Sequence, residues 1–128
     1  MAEALATVAA LGPAAPVGDL EDRPTVVART PRIALYAPWT GGNSDEGWTR
    51  WVLEQHEFAP TTVDNDDIRR GGLRQRFDAL VIPDQTPREI LDGYAAETIR
   101  PEYRGGIGEI GMENISRLVA EGGTLITF

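Results

Sequence analysis

Four short segments between Arg32 and Phe128 predict strands, and three of them, at residues 32–37, 77–83 and 124–128, contain runs of apolar residues. Runs of this length that are rich in aliphatic residues and bounded by Gly, Pro, Asn or Asp are typical of strands buried on both faces of a parallel sheet. The four predicted strands are residues 32–37, 61–64, 77–83 and 124–128.

Helical patterns separate these strands. Residues 45–56 predict a helix with Ser44 as its N-cap, since a serine hydroxyl can accept a hydrogen bond from the first turn. Its predicted apolar face comprises Trp48, Trp51, Val52 and Gln55.

A second long helix is predicted over residues 109–121, with Gly122–Gly123 as its C-terminal signal. Its predicted inner face comprises Ile110, Ile115, Leu118 and Val119. Short helical turns are predicted at 65–70 and 87–91, and a long connection at 92–108 has Tyr94 and Tyr103 as its anchors.

This alternation of strands and helices predicts a three-layer α/β fold. Right-handed crossovers give a flavodoxin-like parallel sheet with strand order 2-1-3-4. The fourth strand would then be an apolar edge, which native proteins avoid. We therefore expect a domain over residues 31–128 that is truncated at its C-terminal end. Residues 1–30, broken by prolines, are interpreted as a linker or the tail of an upstream domain, with a disordered N-terminus as the open alternative.

Composition excludes several kinds of chemistry. The formal net charge of −8 argues against nucleic acid as a partner. The chain has no cysteine, which removes thiolate nucleophiles, and no apolar run long enough for a membrane span. All twelve basic residues are arginine, which excludes a catalytic lysine amine and is attributed to genomic base composition.

Candidate ligand-binding residues lie in the loops that follow the first and third strands, where ligands of α/β proteins usually sit. The six candidates are Trp39, Asp45, Glu46, Trp48, Asp84 and Gln85. Aromatic packing for the tryptophans and helix capping for the carboxylates remain open as alternatives.

No catalytic residue and no metal ligand is predicted. Ser44 and Ser116 lack the Gly-x-Ser-x-Gly context of a serine hydrolase, and His56 is the single histidine. The acidic cluster within residues 64–67 does not have the spacing of a calcium loop and is interpreted as a solvated turn.

Four motifs carry a resemblance to a known family. They are Pro31-Arg32-Ile33-Ala34-Leu35-Tyr36-Ala37-Pro38-Trp39, Asp45-Glu46-Gly47-Trp48-Thr49-Arg50-Trp51, Asp78-Ala79-Leu80-Val81-Ile82-Pro83-Asp84-Gln85 and Glu121-Gly122-Gly123-Thr124-Leu125. From Arg32 onward the chain resembles the class I glutamine amidotransferase-like domain found C-terminal to the catalytic domain of bacterial carboxypeptidase A-like zinc metallopeptidases.

The resemblance implies a parent protein with metallocarboxypeptidase activity, exported to the periplasm or beyond. Its peptidase domain would hold zinc through a His-x-x-Glu pair and a distant histidine, none of which this chain contains. The chain would therefore be a non-catalytic accessory domain without a cofactor, whose partners are the upstream peptidase domain and a small-molecule or peptide ligand. The alternatives are a hydrolase or transferase whose nucleophile lies beyond residue 128, and a small-molecule or carbohydrate-binding module.

Overall fold

The structure, a computed structural model, describes residues 29–40, 43–95, 97 and 99–128. Of the predicted N-terminal tail, all but Arg29 and Thr30 lies outside the described residues.

The described residues form one four-stranded parallel sheet. Its strands are β1 (Ile33–Tyr36), β2 (Thr61–Val63), β3 (Ala79–Ile82) and β4 (Thr124–Thr127), in the order β2-β1-β3-β4. The predicted α/β class and strand order are thus confirmed.

Helices flank this sheet on both faces. They are α1 (Asn43–Gln55), α2 (Asn65–Arg70), α3 (Leu73–Arg76), α4 (Pro87–Leu91) and α5 (Gly108–Ala120), with a 3₁₀ turn at Pro101–Tyr103. Helix α1 begins at Asn43, so the prediction that Ser44 is its N-cap is wrong. Ser44 lies inside the first turn, and its hydroxyl is 3.5 Å from the carboxylate of Asp45.

Local capping explains where α2 begins and where α5 ends. Asp64 accepts a hydrogen bond from the backbone N–H of Asp67, whose carboxylate in turn accepts one from the backbone of Asp64. Asp64 and Asp67 therefore cap α2, whereas Asp66 between them is exposed to solvent. Helix α5 ends in a Schellman motif, in which the N–H groups of Gly122 and Gly123 bond back to Val119 and Leu118.

The larger part of the core lies between the sheet and helices α2, α3 and α5. Eleven buried residues form this cluster: Ala34, Tyr36, Val63, Ile68, Leu73, Phe77, Leu80, Ile82, Ile107, Ile115 and Leu118. The inner face of α5 is narrower than predicted, because Gly111, Ile115 and Leu118 point inward while Ile110 and Val119 are exposed.

The opposite face of the sheet has a smaller core. Ile33, Leu35 and Val81 are buried there, with Leu53 and Phe58 packed against them. The residues predicted to form the apolar face of α1 do not pack into this core, because Trp48 is 68% exposed and Trp51 and Val52 are also exposed. The helix contacts the sheet through Leu53, which leaves its tryptophan side uncovered.

The carboxylate of Asp78 holds together the amino-terminal ends of the central strands. One Asp78 oxygen accepts hydrogen bonds from the guanidinium groups of Arg29, Arg32 and Arg74 at 2.9–3.0 Å. The other accepts from the backbone N–H and Nε of Arg32 at 2.9 and 3.1 Å. The pKa of Asp78 is held well below its usual range, first by the hydrogen bond from the Arg32 side chain and then by that from its backbone.

We expect this carboxylate to make stability depend on pH. Because its pKa is lower in the folded than in the unfolded chain, its contribution is present above about pH 4 and is lost as the pH falls below that value. The Asp78→Asn variant should have a lower melting temperature at pH 7 and a smaller decrease in melting temperature between pH 5 and pH 2, measured by circular dichroism. An Asp78→Asn variant with the wild-type pH profile would contradict this assignment.

Candidate functional site

The carboxyl-terminal edge of the sheet, where β1 and β3 lie side by side, is the topological switch point of the fold. The chain leaves β1 for α1 on one face, whereas it leaves β3 for α5 on the other face. Ligands of open α/β sheets bind in the crevice that such diverging connections leave. This edge is therefore the candidate site.

On the β2 side of β1, buried hydrogen bonds join the carboxyl ends of the strands to the loop that contains Gly105. The Tyr36 hydroxyl donates to Asn65 Oδ1 at 2.7 Å, and Asn65 Nδ2 donates to the carbonyl of Gly105 at 2.9 Å. Both side chains are almost completely buried, and burial raises the pKa of the Tyr36 phenol above its usual value. The loop at Gly105 is thus tied to the ends of β1 and β2.

Arg69 of α2 strengthens the same closure. Its Nε donates to the carbonyl of Gly106 at 2.8 Å, and a second nitrogen lies 3.3 Å from the carbonyl of Arg104. Its guanidinium is also 5.3 Å from the ring centre of Trp39, which meets Tyr103 edge-on at 5.8 Å. The ring of Trp39 is therefore already in contact with two side chains of the protein on the β2 side of β1.

In the segments that follow β1 and β3, two buried polar atoms have no hydrogen-bond partner in the described part of the chain. They are Thr40 Oγ1 and Gln85 Oε1. Thr40 is 6% exposed, and the two residues follow β1 and β3 respectively. An unsatisfied buried polar atom costs about 1–3 kcal/mol, so native proteins rarely keep two at one edge without a use.

The structure places the six predicted site residues in different surroundings. Gln85 is at the β1–β3 edge with exposed Asp84 beside it, and Asp45 is exposed in the first turn of α1. Trp39 faces α2, and Trp48 lies on the surface of α1 with its ring 6.0 Å from that of Trp51. The six do not form one cluster.

The remaining candidate, Glu46, is engaged by Arg50. The two side chains approach to 2.6 Å, and Arg50 also donates to the carbonyl of Pro60 at 3.2 Å and to Thr62 Oγ1 at 2.5 Å. Because Thr62 lies on β2, this network fastens α1 to the edge strand of the sheet.

The sequence missed three residues that shape this edge: Thr40, Asn65 and Arg69. Tyr103, predicted as an anchor of the long connection, meets Trp39 there. A tyrosine inside an apolar strand does indicate that its hydroxyl needs a buried partner. Nothing in the sequence pattern marks Asn65 as that partner, since 29 positions separate it from Tyr36.

An apolar groove of about 380 Å³ lies between α1 and the face of the sheet formed by β3 and β4. It is lined by Trp48, Thr49, Val52, Leu53, Val81, Ile126 and Phe128. Trp48, Val52, Ile126 and Phe128 are all exposed. The groove is thus a second surface, chemically distinct from the polar edge between β1 and β3.

Two further observations concern the described residues as a whole. No three acidic, histidine or cysteine side chains among them are grouped so as to hold a metal ion. None of their helices combines the length and apolar character that crossing a membrane requires.

No protein-family model, no curated protein and no solved structure matches this chain. The proposed function therefore rests on the resemblance carried by the four sequence motifs and on the geometry of the chain.

The buried Tyr36–Asn65 contact generates a stability prediction. Replacing Tyr36 by Phe leaves Asn65 Oδ1 without its donor, so we expect a loss of about 1–2 kcal/mol in the free energy of unfolding, measured with urea. Tyr103→Phe is the matched control, since the exposed ring of Tyr103 keeps its contact with Trp39 in that variant.

The raised pKa of Tyr36 adds a pH signature to the same comparison. The contribution of the Tyr36 hydroxyl to the free energy of unfolding is present below about pH 10, the usual pKa of tyrosine. It is lost as the pH rises above that value. Tyr36→Phe should remove that part of the alkaline destabilisation and Tyr103→Phe should not. Equal behaviour of the two variants would contradict the role given to the Tyr36 hydroxyl.

Proposed function

We propose that this chain is a non-catalytic accessory domain of the amidotransferase-like type, belonging to a zinc carboxypeptidase-like protein. The observation that carries the proposal is the structural role of two charged residues in the motif Asp45–Trp51, on which much of the resemblance depends. Its charged side chains Glu46 and Arg50 bind each other and the β2 edge. Because Glu46 and Arg50 are engaged in these contacts, they hold the fold together and are poorly placed for acid–base chemistry on a substrate.

The third motif supports the same interpretation at the other edge of the sheet. Asp78 is only 15% exposed and its oxygens accept hydrogen bonds from three arginines. Asp78 is therefore a structural carboxylate that joins β1 to β3. Two of the five acidic residues in the resemblance motifs, Glu46 and Asp78, thus stabilise the domain itself.

The tryptophans of the second motif suit a contact with another domain. Trp48 and Trp51 are exposed beside the apolar groove of α1, and contiguous apolar surface of this kind marks interaction sites. In the proposed parent, the upstream peptidase domain is the partner that would cover it. The accessory domain would then support or position the peptidase without entering its chemistry.

The proposal predicts that the purified chain lacks the parent's chemistry. We expect less than stoichiometric zinc by elemental analysis, and no release of C-terminal residues from peptides and no glutamine hydrolysis with zinc added. The gene should also encode a His-x-x-Glu zinc motif upstream of this region. Stoichiometric zinc, turnover by the chain alone, or an upstream region without a peptidase domain would count against the proposal.

The structural role of the motif predicts the effect of removing its arginine. Arg50→Met breaks the ion pair with Glu46 and the bonds to Pro60 and Thr62, so the free energy of unfolding should fall by about 1–3 kcal/mol. Arg70→Met is the control, because Arg70 is exposed and pairs with Asp67 on the surface. Its cost should stay below about 0.5 kcal/mol. Equal stability of the two variants in urea would show that Arg50 does not fasten α1.

A further inference from the structure

Strand β4 forms one edge of the sheet, and no described residue pairs with its outer side. The backbone N–H of Thr124 donates to the carbonyl of Asp78, so the backbone groups of Thr124 face β3. Because these groups alternate in direction along a strand, those of Leu125 and Thr127 point away from the sheet. All four residues of β4 are exposed. The outward N–H and C=O groups therefore form an open row that can pair with another strand.

The side chains at this edge are apolar on both faces of the sheet. Leu125 pairs with Leu80, which belongs to the core under α5. Ile126 pairs with Val81, which belongs to the core under α1. Leu125 and Ile126 therefore face opposite sides, yet they remain 38% and 43% exposed. Native edge strands commonly carry a charge or a proline that prevents pairing, and residues 124–128 contain neither.

A second copy of this chain supplies a strand of matching character. A two-fold axis perpendicular to the sheet pairs two β4 strands in antiparallel orientation and keeps each face of the sheet on its own side. Apolar side chains on the α1 face then meet those on the α1 face of the second copy. No like charges meet across the pair, because residues 124–128 are uncharged and Glu121, the charged residue nearest in sequence, lies outside them.

The direction of the backbone groups fixes the register of this pair. With the axis at Ile126, Leu125 lies opposite Thr127 of the second copy, and each such pair exchanges two hydrogen bonds. Ile126 lies opposite its own copy on the α1 face. An axis at Leu125 would instead require the N–H of Gly123, which already donates to the carbonyl of Leu118.

We propose that this chain forms a two-fold symmetric dimer in which two β4 strands pair in antiparallel orientation about Ile126, so that the two sheets become one. A short edge buries less than the about 800 Å² per partner of a standard interface, so we expect a micromolar dissociation constant. The net charge of −8 opposes association at low ionic strength, and this repulsion is screened at about 0.15 M salt, where the Debye length is about 8 Å. The pairing uses the backbone of β4 and does not depend on the accessory-domain proposal.

Sedimentation equilibrium of the 128-residue chain between about 1 μM and about 1 mM tests the proposal, with a monomer–dimer equilibrium as the expected result. Ile126→Lys places two ammonium groups at the axis, and Thr127→Pro removes an outward N–H without changing the bonds to β3. Each variant should weaken dimerisation about tenfold or more. Thr61→Lys is the control, because it adds the same charge to exposed Thr61 on the opposite edge strand and should dimerise as the wild type does.

Cysteine cross-linking locates the contact, since the chain itself has no cysteine. Ile126→Cys brings two Cα atoms to about 4.5 Å across the axis, which is within the range of a disulfide. Oxidation should therefore cross-link Ile126→Cys about tenfold faster than the control Thr61→Cys. Leu125→Cys alone should cross-link slowly, whereas an equal mixture of Leu125→Cys and Thr127→Cys should cross-link readily, because these positions lie opposite each other only between copies.

Several outcomes would overturn the proposal. One is a chain that stays monomeric over the whole concentration range. Another is a dimer that both Ile126→Lys and Thr127→Pro leave unchanged, or one in which Ile126→Cys cross-links no faster than Thr61→Cys, because the contact would then lie elsewhere. If Thr127→Pro does not fold, Ile126→Lys and the cross-linking rates decide. A positive zinc or turnover result would remove the accessory-domain proposal and leave the dimer unaffected.

Discussion

The carboxylate of Asp78 is the contact on which the arrangement of this domain depends. It lies at the amino ends of the two central strands, where Arg32 before β1 gives it three hydrogen bonds and Arg74 of α3 gives it another. The backbone carbonyl of Asp78 also accepts from Thr124 at the start of β4. Three parallel strands are thereby aligned at one end, so their carboxyl ends open at a common edge.

The arginines have a structural pattern that base composition alone does not explain. Arg32, Arg50, Arg69 and Arg74 each bind a carboxylate and a backbone carbonyl at the same time. A guanidinium can do this because it presents five donors in a fixed plane, whereas an ammonium is a compact point charge. Lysine at these positions would keep the ion pair and lose the second contact. The arginine-only composition therefore supports the fold, whatever its genomic origin.

The fold was predictable where local pattern decides it. Four predicted strands and right-handed crossovers were sufficient for the strand order, because few topologies satisfy both constraints. The helix faces were less predictable, since the spacing of Trp48 and Val52 indicates an apolar face but not which neighbour covers it. Leu53 makes the contact with the sheet instead. At the site, Gln85 was found because it follows a buried strand, but Asn65 and Arg69 depend on a loop about 40 positions away.

The closure beside Tyr36 follows from where the long connection after α4 returns. It crosses the β2 side, where Asn65 and Arg69 bind its carbonyl groups, and it enters α5 through buried Ile107. Thr40 Oγ1 and Gln85 Oε1, in the segments that follow β1 and β3, find no such partner among the described residues. The long connection therefore completes the main core and closes the β2 side of β1 with the same few residues.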